Sequence, residues 1–216
     1  MNKLRRTLIA ALAAAATPLP LASRAQPRGE AAYSTLASAL PVENPAKIEI
    51  AEFFWYGCIH CYNFEPALAT WVPKLPADVY FRRIPAVFGD PRMSHDAAIF
   101  YAFEALGVMK NLHQALFDSI HQDRLATGNQ EALAAWLSKK ALDPKKFDAT
   151  MKSFGVQSKV KRATQLTSSA RIDGTPALMV QGRYTISGEQ GGSLEGMLAN
   201  AERLIPVVRK SLPTKK

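Results

Sequence analysis

The alternation of apolar and polar residues is sharpest just before the middle of the first half of the chain. Lys47-Ile48-Glu49-Ile50-Ala51-Glu52-Phe53-Phe54 alternates at first and then turns apolar apart from Glu52. That pattern predicts a strand entering the middle of a sheet. It stops at Trp55-Tyr56-Gly57, and Cys61, Phe64, Leu68 and Trp71 or Val72 then recur at helical spacing, with Cys58 at or near the first turn. Pro66 falls inside that pattern and predicts a kink near residues 62–66 without a clean end to the helix. Val79-Tyr80-Phe81-Arg82-Arg83-Ile84 is rich in β-formers and predicts a second strand, stopped by Pro85. Asp90-Pro91-Arg92 reads as a turn, and Ser94 as the cap of a helix through Ala98, Phe100, Tyr101, Ala102 and Leu106.

Further helical patterns cover about 110–120, 129–139, 144–153 and 157–169, punctuated by Gly107, Thr127-Gly128-Asn129, Asp143-Pro144 and Gly155. Strands return at 177–180 and 183–187, joined by Gln181-Gly182, a hairpin signal. A last helix starts near Ser193 and reaches at least Ile205, where Pro206 is expected to end or kink it. Residues 26–40 read as a loose lead-in, with Tyr33 and Leu36 tucked against the body. The order β-α-β, helices, β-β-α predicts an α/β protein whose mixed sheet carries a helical insertion over residues 94–155. A simple βαβ crossover needs far fewer residues than that.

The N-terminus changes how charge is read. Lys3, Arg5 and Arg6 precede an apolar stretch from Leu8 to about Ala16, and Ser23-Arg24-Ala25 offers a small-x-small cleavage point. This is the form of a secretory signal over residues 1–25, cut after Ala25; a membrane span would need roughly 20 apolar residues. The segment holds four basic residues and no acid, so its removal lowers the formal charge from +9 to +5. The remainder is mildly basic, without a Lys/Arg stripe interleaved with aromatics, and no nucleic-acid partner is expected.

Cys58 and Cys61 are the only cysteines. In an exported chain they are expected to pair, but joining residues three apart constrains little of the unfolded chain, so the spacing favours redox chemistry over an inert staple. Zinc is disfavoured: His95, His113 and His121 are far off in sequence and form no second paired knuckle. At a helix start, the Cys58 thiolate would meet unpaired N–H groups and the positive end of the helix dipole. Cys58 is thus the expected attacking thiol and Cys61 the resolving one. His60 lies between them and could stabilise the thiolate further. Thiolate stabilisation makes the disulfide a better oxidant, by about 30 mV for each pKa unit.

Glu52 is the odd residue in its strand. Facing inward, it would have a raised pKa and could relay a proton; Glu65, one turn beyond Cys61, could share that role. Arg83 could offset one of these acids, although a solvated strand arginine is the plainer reading. His113 and His121 read as polar surface. Thr175-Pro176 precedes a strand; a cis proline beside Cys58 would leave the preceding backbone free to pair with an extended substrate. Trp55, Tyr56 and Met179 could add apolar contacts there.

With these residues in view, the sequence resembles the DsbA family of periplasmic thiol:disulfide oxidoreductases. The likeness rests on Glu52-Phe53-Phe54-Trp55-Tyr56-Gly57-Cys58-Ile59-His60-Cys61-Tyr62-Asn63-Phe64-Glu65 and on Gly174-Thr175-Pro176-Ala177 continuing through Met179 to Tyr184, and covers about residues 35 to 210. It implies a thioredoxin-like fold with an inserted helical domain: residues 26–93 and 156–216 form the thioredoxin-like part and 94–155 the insertion. It also implies Cys58 as exposed nucleophile, Cys61 as buried partner and His60 as principal thiolate stabiliser. Glu52 and Glu65 become the acidic pair behind the disulfide, Pro176 a cis proline and Thr175 the residue facing the disulfide, with Trp55 among the substrate contacts. The implied protein is a periplasmic monomer with no cofactor beyond its own redox-active disulfide. It would donate that disulfide to reduced exported proteins and be reoxidised by a DsbB-type quinone-linked membrane oxidase. Ile59 departs from the proline common at that position. The alternatives are a disulfide isomerase or reductase, and a non-enzymatic chaperone or peptide-binding module.

Overall fold

Seven consecutive buried residues, Ile48–Phe54, form β2, an interior strand of a five-stranded sheet. The computed structural model describes residues 32–212, so the expected signal segment 1–25 lies outside the described residues. The sheet order is β1-β5-β4-β2-β3, with β1 Ser34–Thr35, β3 Val79–Pro85, β4 Ala177–Val180 and β5 Tyr184–Ile186. β2 runs parallel to β3 and antiparallel to β4. The parallel register sets Glu52 beside Arg83.

β1 extends the sheet through pairing of Ser34 with Thr185 and Thr35 with Tyr184, where the sequence predicted only a lead-in. The expected tucking of that lead-in holds: Leu36 is buried and the Tyr33 ring meets Tyr184 edge-on. Gln181 and Gly182 both have positive φ and close the β4–β5 hairpin. A side chain on Gly182 would collide with the Leu40 carbonyl, so the close approach that lets Leu40 N donate to Gly182 O depends on glycine.

The two faces of the sheet carry separate apolar clusters. On one, Ile48, Ile50, Leu178 and Val180 pack with Phe64 and Leu68 of α1 (Ile59–Trp71), and with Met197, Ala201, Leu204 and Val208 of the last helix. On the other, Ala51, Phe53 and Met179 join the helices between β3 and β4: α2 Pro91–Ala105, α3 Met109–His121, α4 Gln130–Lys139, α5 Pro144–Met151 and α6 Phe154–Ser169. This is a thioredoxin-like core carrying an inserted helical subdomain.

Three local expectations need correction. α2 starts at Pro91, not Ser94, because Asp90 accepts from Arg92 N as the N-cap and Pro91 takes the first helical position, where no N–H is needed. A short helix α7, Gly188–Gly191, begins with a capping box between Ser187 and Gln190 and precedes α8, Leu194–Ser211. α8 continues through Pro206 to Ser211: proline lies on the exposed side, as does Glu202, whose carbonyl loses its bond. The buried stripe holds the helix on both sides. α1, as expected, does not end at Pro66, which is exposed.

Candidate active site

The apolar drive of β2 ends at Phe54, and Trp55-Tyr56-Gly57 turns the chain into α1. A side chain on Gly57 would strike the Trp55 ring, so glycine allows the indole to lie against the turn. Trp55 Nε1 donates to Asp96 Oδ2 at 2.7 Å, and Thr127 Oγ1 donates to Asp96 Oδ1 at 2.7 Å, tying the turn to α2 and to the loop before α4. Cys58 is the N-cap of α1: its sulfur accepts from Cys61 N at 3.3 Å. In the thiol form it also donates to the Thr175 carbonyl at 3.3 Å, and the Thr175–Pro176 peptide bond is cis. Both cysteines are unpaired thiols, Cys58 half-buried and Cys61 buried.

The two sulfurs differ in charge preference. A hydrogen bond from the Cys61 side chain leads the groups that pull the Cys58 pKa down to about 5, with the Thr175 side chain and the backbone N–H groups of Cys61 and His60 adding to it against partial desolvation. Burial pushes the Cys61 thiol well above its ordinary value, and the hydrogen bond it gives to Cys58 raises it further. The exposed His60 imidazole makes no hydrogen bond among the described residues; its backbone N–H is what reaches the Cys58 sulfur. Ile59, also at the mouth, is 49% exposed.

Beneath the cysteines lies a buried charge network. Arg83 donates to both oxygens of Glu65, Nε to Oε1 at 3.2 Å and Nη2 to Oε2 at 2.8 Å. The same Nε lies 3.2 Å from Glu52 Oε2, but neither Glu52 oxygen receives a hydrogen bond. Nε carries one hydrogen, and it is directed at Glu65. Burial therefore dominates Glu52 and, despite the Arg83 charge, raises its pKa to about 8. Glu65 also feels burial, but the His113 hydrogen bond and the Arg83 guanidinium outweigh it and hold the carboxyl below its usual range.

Two expectations fall here. Of the two readings of Arg83, the solvated strand residue falls and the offsetting cation holds, shared by both acids. His113 is buried, with Nε2 3.1 Å from Glu65 Oε1 and Nδ1 2.8 Å from the Tyr56 hydroxyl. Burial depresses the His113 pKa, so the ring is neutral. A carboxylate only accepts, which puts the proton on Nε2 and makes Nδ1 the acceptor for Tyr56. His121 Nε2 contacts the Tyr56 carbonyl at 2.8 Å, and its ring stacks on Tyr62. Period-3.6 spacing put both histidines near one face of α3; what it could not reveal was that this face packs against α1.

An open groove of about 960 Å³ leads from His60 past Gly174, Thr175 and Pro176 to Ser187 and Leu194. Among the described residues no group of three or more His, Cys, Asp or Glu side chains is placed to hold a metal ion.

A thioredoxin-like sheet, a Cys-x-x-Cys pair at a helix start and a cis proline against the first sulfur define a thiol:disulfide redox site. The comparisons agree. Residues 49–193 match the model of the DSBA-like thioredoxin domain. The thiol:disulfide interchange protein DsbA of Pseudomonas aeruginosa is 39% identical over 173 residues, covering 80% of this chain and 82% of the relative. That of Burkholderia cepacia is 37% identical over 210 residues, covering 97% and 98%. The crystal structure of Pseudomonas aeruginosa DsbA superposes with a TM-score of 0.79 at 37% identity, covering 84% of this chain and 94% of that one. The chain belongs to the DsbA family and is a periplasmic thiol:disulfide oxidoreductase that acts through an active-site cysteine pair.

Proposed function

We propose that this protein works as an oxidant, passing a Cys58–Cys61 disulfide to reduced exported proteins. The observation that carries the reading is the opposite charge preference of the two sulfurs, with Cys58 drawn down to about 5 and Cys61 pushed up. A substrate thiolate attacks Cys58 Sγ; the Cys58–Cys61 bond breaks and its electron pair goes to Cys61, which takes a proton. A second substrate thiolate then attacks the substrate sulfur of the mixed disulfide and expels Cys58 as thiolate. Two electrons pass to the enzyme and the substrate gains one disulfide. A sulfur that is stable as thiolate leaves readily, which favours this direction.

Glu52 supplies the proton to Cys61 as the disulfide opens and is then reprotonated from solvent in the reduced protein, a role supported by its burial, its raised pKa and the charge interaction between it and Cys61. Glu65 holds Arg83 beside it. His60 stabilises the thiolate through its backbone N–H, with its imidazole exposed at the mouth. The Thr175 backbone and Pro176 border the groove and receive an extended substrate segment, with Trp55 lining the approach. The helical insertion spans residues 94–155. The protein acts as a monomer, and a DsbB-type quinone-linked membrane oxidase restores its disulfide.

The equilibrium constant with glutathione tests the donor role: the oxidant reading requires a disulfide that glutathione reduces readily, and a reducing, thioredoxin-like value would overturn it. Cys61→Ser, expressed in the exporting cell, should accumulate mixed disulfides on Cys58 with both substrates and the membrane oxidase. A Cys58→Ser variant with full activity would instead favour a peptide-binding protein.

A further inference from the structure

The buried chain Tyr56–His113–Glu65–Arg83–Glu52 contains two members, Tyr56 and His113, that the exchange steps do not use. It also contains an imbalance: two buried carboxylates share one guanidinium that is only partly exposed. Glu65 is held by three hydrogen bonds, from Arg83 Nε at 3.2 Å, Arg83 Nη2 at 2.8 Å and His113 Nε2 at 3.1 Å. Glu52, fully buried, is held by none. Nothing on β2 or β3 breaks this symmetry, since the register places Arg83 beside Glu52 itself. The group that favours Glu65 is on α3.

We propose that His113 is a positioning residue for the exchange reaction: its hydrogen bond to Glu65 decides which of the two buried carboxylates carries the negative charge, and so leaves Glu52 able to hold a proton. This rests on the reading of Glu52 as the proton carrier. The geometry fits the task. The His113 ring meets Phe54, Phe100 and Phe117 edge-on or tilted at 5.3 to 5.9 Å, which fixes its plane. The Tyr56 hydroxyl, 2.8 Å from Nδ1, donates to it and so supports the tautomer selected by the acceptor-only Glu65 carboxylate, with the Nε2 proton aimed at Glu65. Because burial keeps the imidazole neutral, it supplies a directed hydrogen bond without adding a second cation that would also draw Glu52 into its ionised form.

The surrounding charges are few. Glu52 is faced by Arg83 from β3, by Glu65 and Cys61 from α1 and by Cys58 at its cap, while its β4 partner Leu178 is uncharged. His113 is faced by Glu65, Arg83 and Tyr56. Asp96 and Glu104 of α2 act more remotely on Tyr56. Without the His113 bond, Glu65 loses its advantage and the guanidinium is divided more evenly. Glu65 then titrates higher and Glu52 lower, so at neutral pH a larger share of Glu52 is ionised and repels the Cys58 thiolate.

The test compares wild type with His113→Phe, which suits the aromatic nest, Tyr56→Phe and His113→Gln. Two readouts are followed against pH: carboxyl titration by infrared difference with Glu52→Gln as reference, and the glutathione equilibrium constant. Expected for His113→Phe is a fall in the Glu52 midpoint by about one pH unit or more and a roughly tenfold less oxidising constant near pH 7, vanishing by about pH 9.5, where Glu52 is ionised in both proteins. Tyr56→Phe should move both readouts the same way by less. His113→Gln, which can still donate to Glu65 and accept from Tyr56, should recover most of the loss. If His113→Phe does not fold, the last two variants decide. An unmoved Glu52 midpoint, or an equally large change at every pH, overturns the proposal while leaving the Glu52 reading intact. A Glu52→Gln protein with an unaltered exchange rate overturns the Glu52 reading and the proposal with it.

Discussion

The guanidinium of Arg83 lies 3.2 Å from Glu52 Oε2 and gives it no hydrogen bond. Its Nε proton is already committed to Glu65, at 3.2 Å. Coulomb attraction alone does not outweigh the desolvation of a fully buried carboxyl, which is why the acid nearest to the cysteines holds its proton at neutral pH.

Stability against pH should expose this acid. The Glu52 pKa is raised from 4.5 to about 8, so its contribution to stability is fully present below 4.5 and is lost as pH rises through 8. Cys58, lowered from 9.0 to about 5, works in the opposite sense: its contribution is present above 9.0 and lost as pH falls through 5. In the reduced protein the two slopes oppose each other between about pH 5 and 8. Glu52→Gln removes one slope, so chemical denaturation of the reduced variant should reveal stability rising with pH across that window while wild type stays nearly flat. Parallel curves would refute the assignment.

Ile59 is the natural place to ask what tunes Cys58. It occupies the first helical position, and the N–H groups that reach the sulfur belong to His60 and Cys61. Proline is tolerated at that position because its N–H is not needed there. Ile59→Pro should therefore leave the Cys58 pKa within about half a unit, while altering substrate preference through loss of an exposed apolar side chain. Thiolate absorbance against pH checks the first part; a shift of several units would mean that the Ile59 N–H matters after all.

Asp96 holds the turn in front of the cysteines from behind. It accepts from Trp55 Nε1 and Thr127 Oγ1, each at 2.7 Å, and is itself buried. Asp96→Ala strands both donors and should cost ~1–3 kcal/mol in denaturant unfolding, with a change in tryptophan fluorescence. Since Asp96 touches neither sulfur, the Cys58 titration should stay near its wild-type position.

Much of this was legible in the residues. β2 and its interruption by Glu52 stood out because a charge in an otherwise apolar strand breaks a period-2 pattern, and Cys-x-x-Cys with a later Thr-Pro marks the two sides of the redox site. What stayed hidden depends on contacts across distant elements. Arg83 reads the same in sequence whether it faces water or two carboxylates, and only the parallel register with β2 decides it. His113 looked like surface because α3 is amphipathic, and its polar residue on the buried side is explained only by a Glu65 and a Tyr56 brought in from α1 and its preceding turn. β1 is two residues long, too short for any periodicity. Pro206 does not end α8, because a helix-breaking residue on the solvent side leaves the buried stripe intact.

One sulfur of the pair is a stable thiolate and the other is not. A pH titration of thiolate absorbance in the reduced wild-type protein tests it directly. A single thiolate should appear with a midpoint near 5, and no second one until well above 9.0. Two thiolates rising together near 9.0, the ordinary cysteine value, would contradict it.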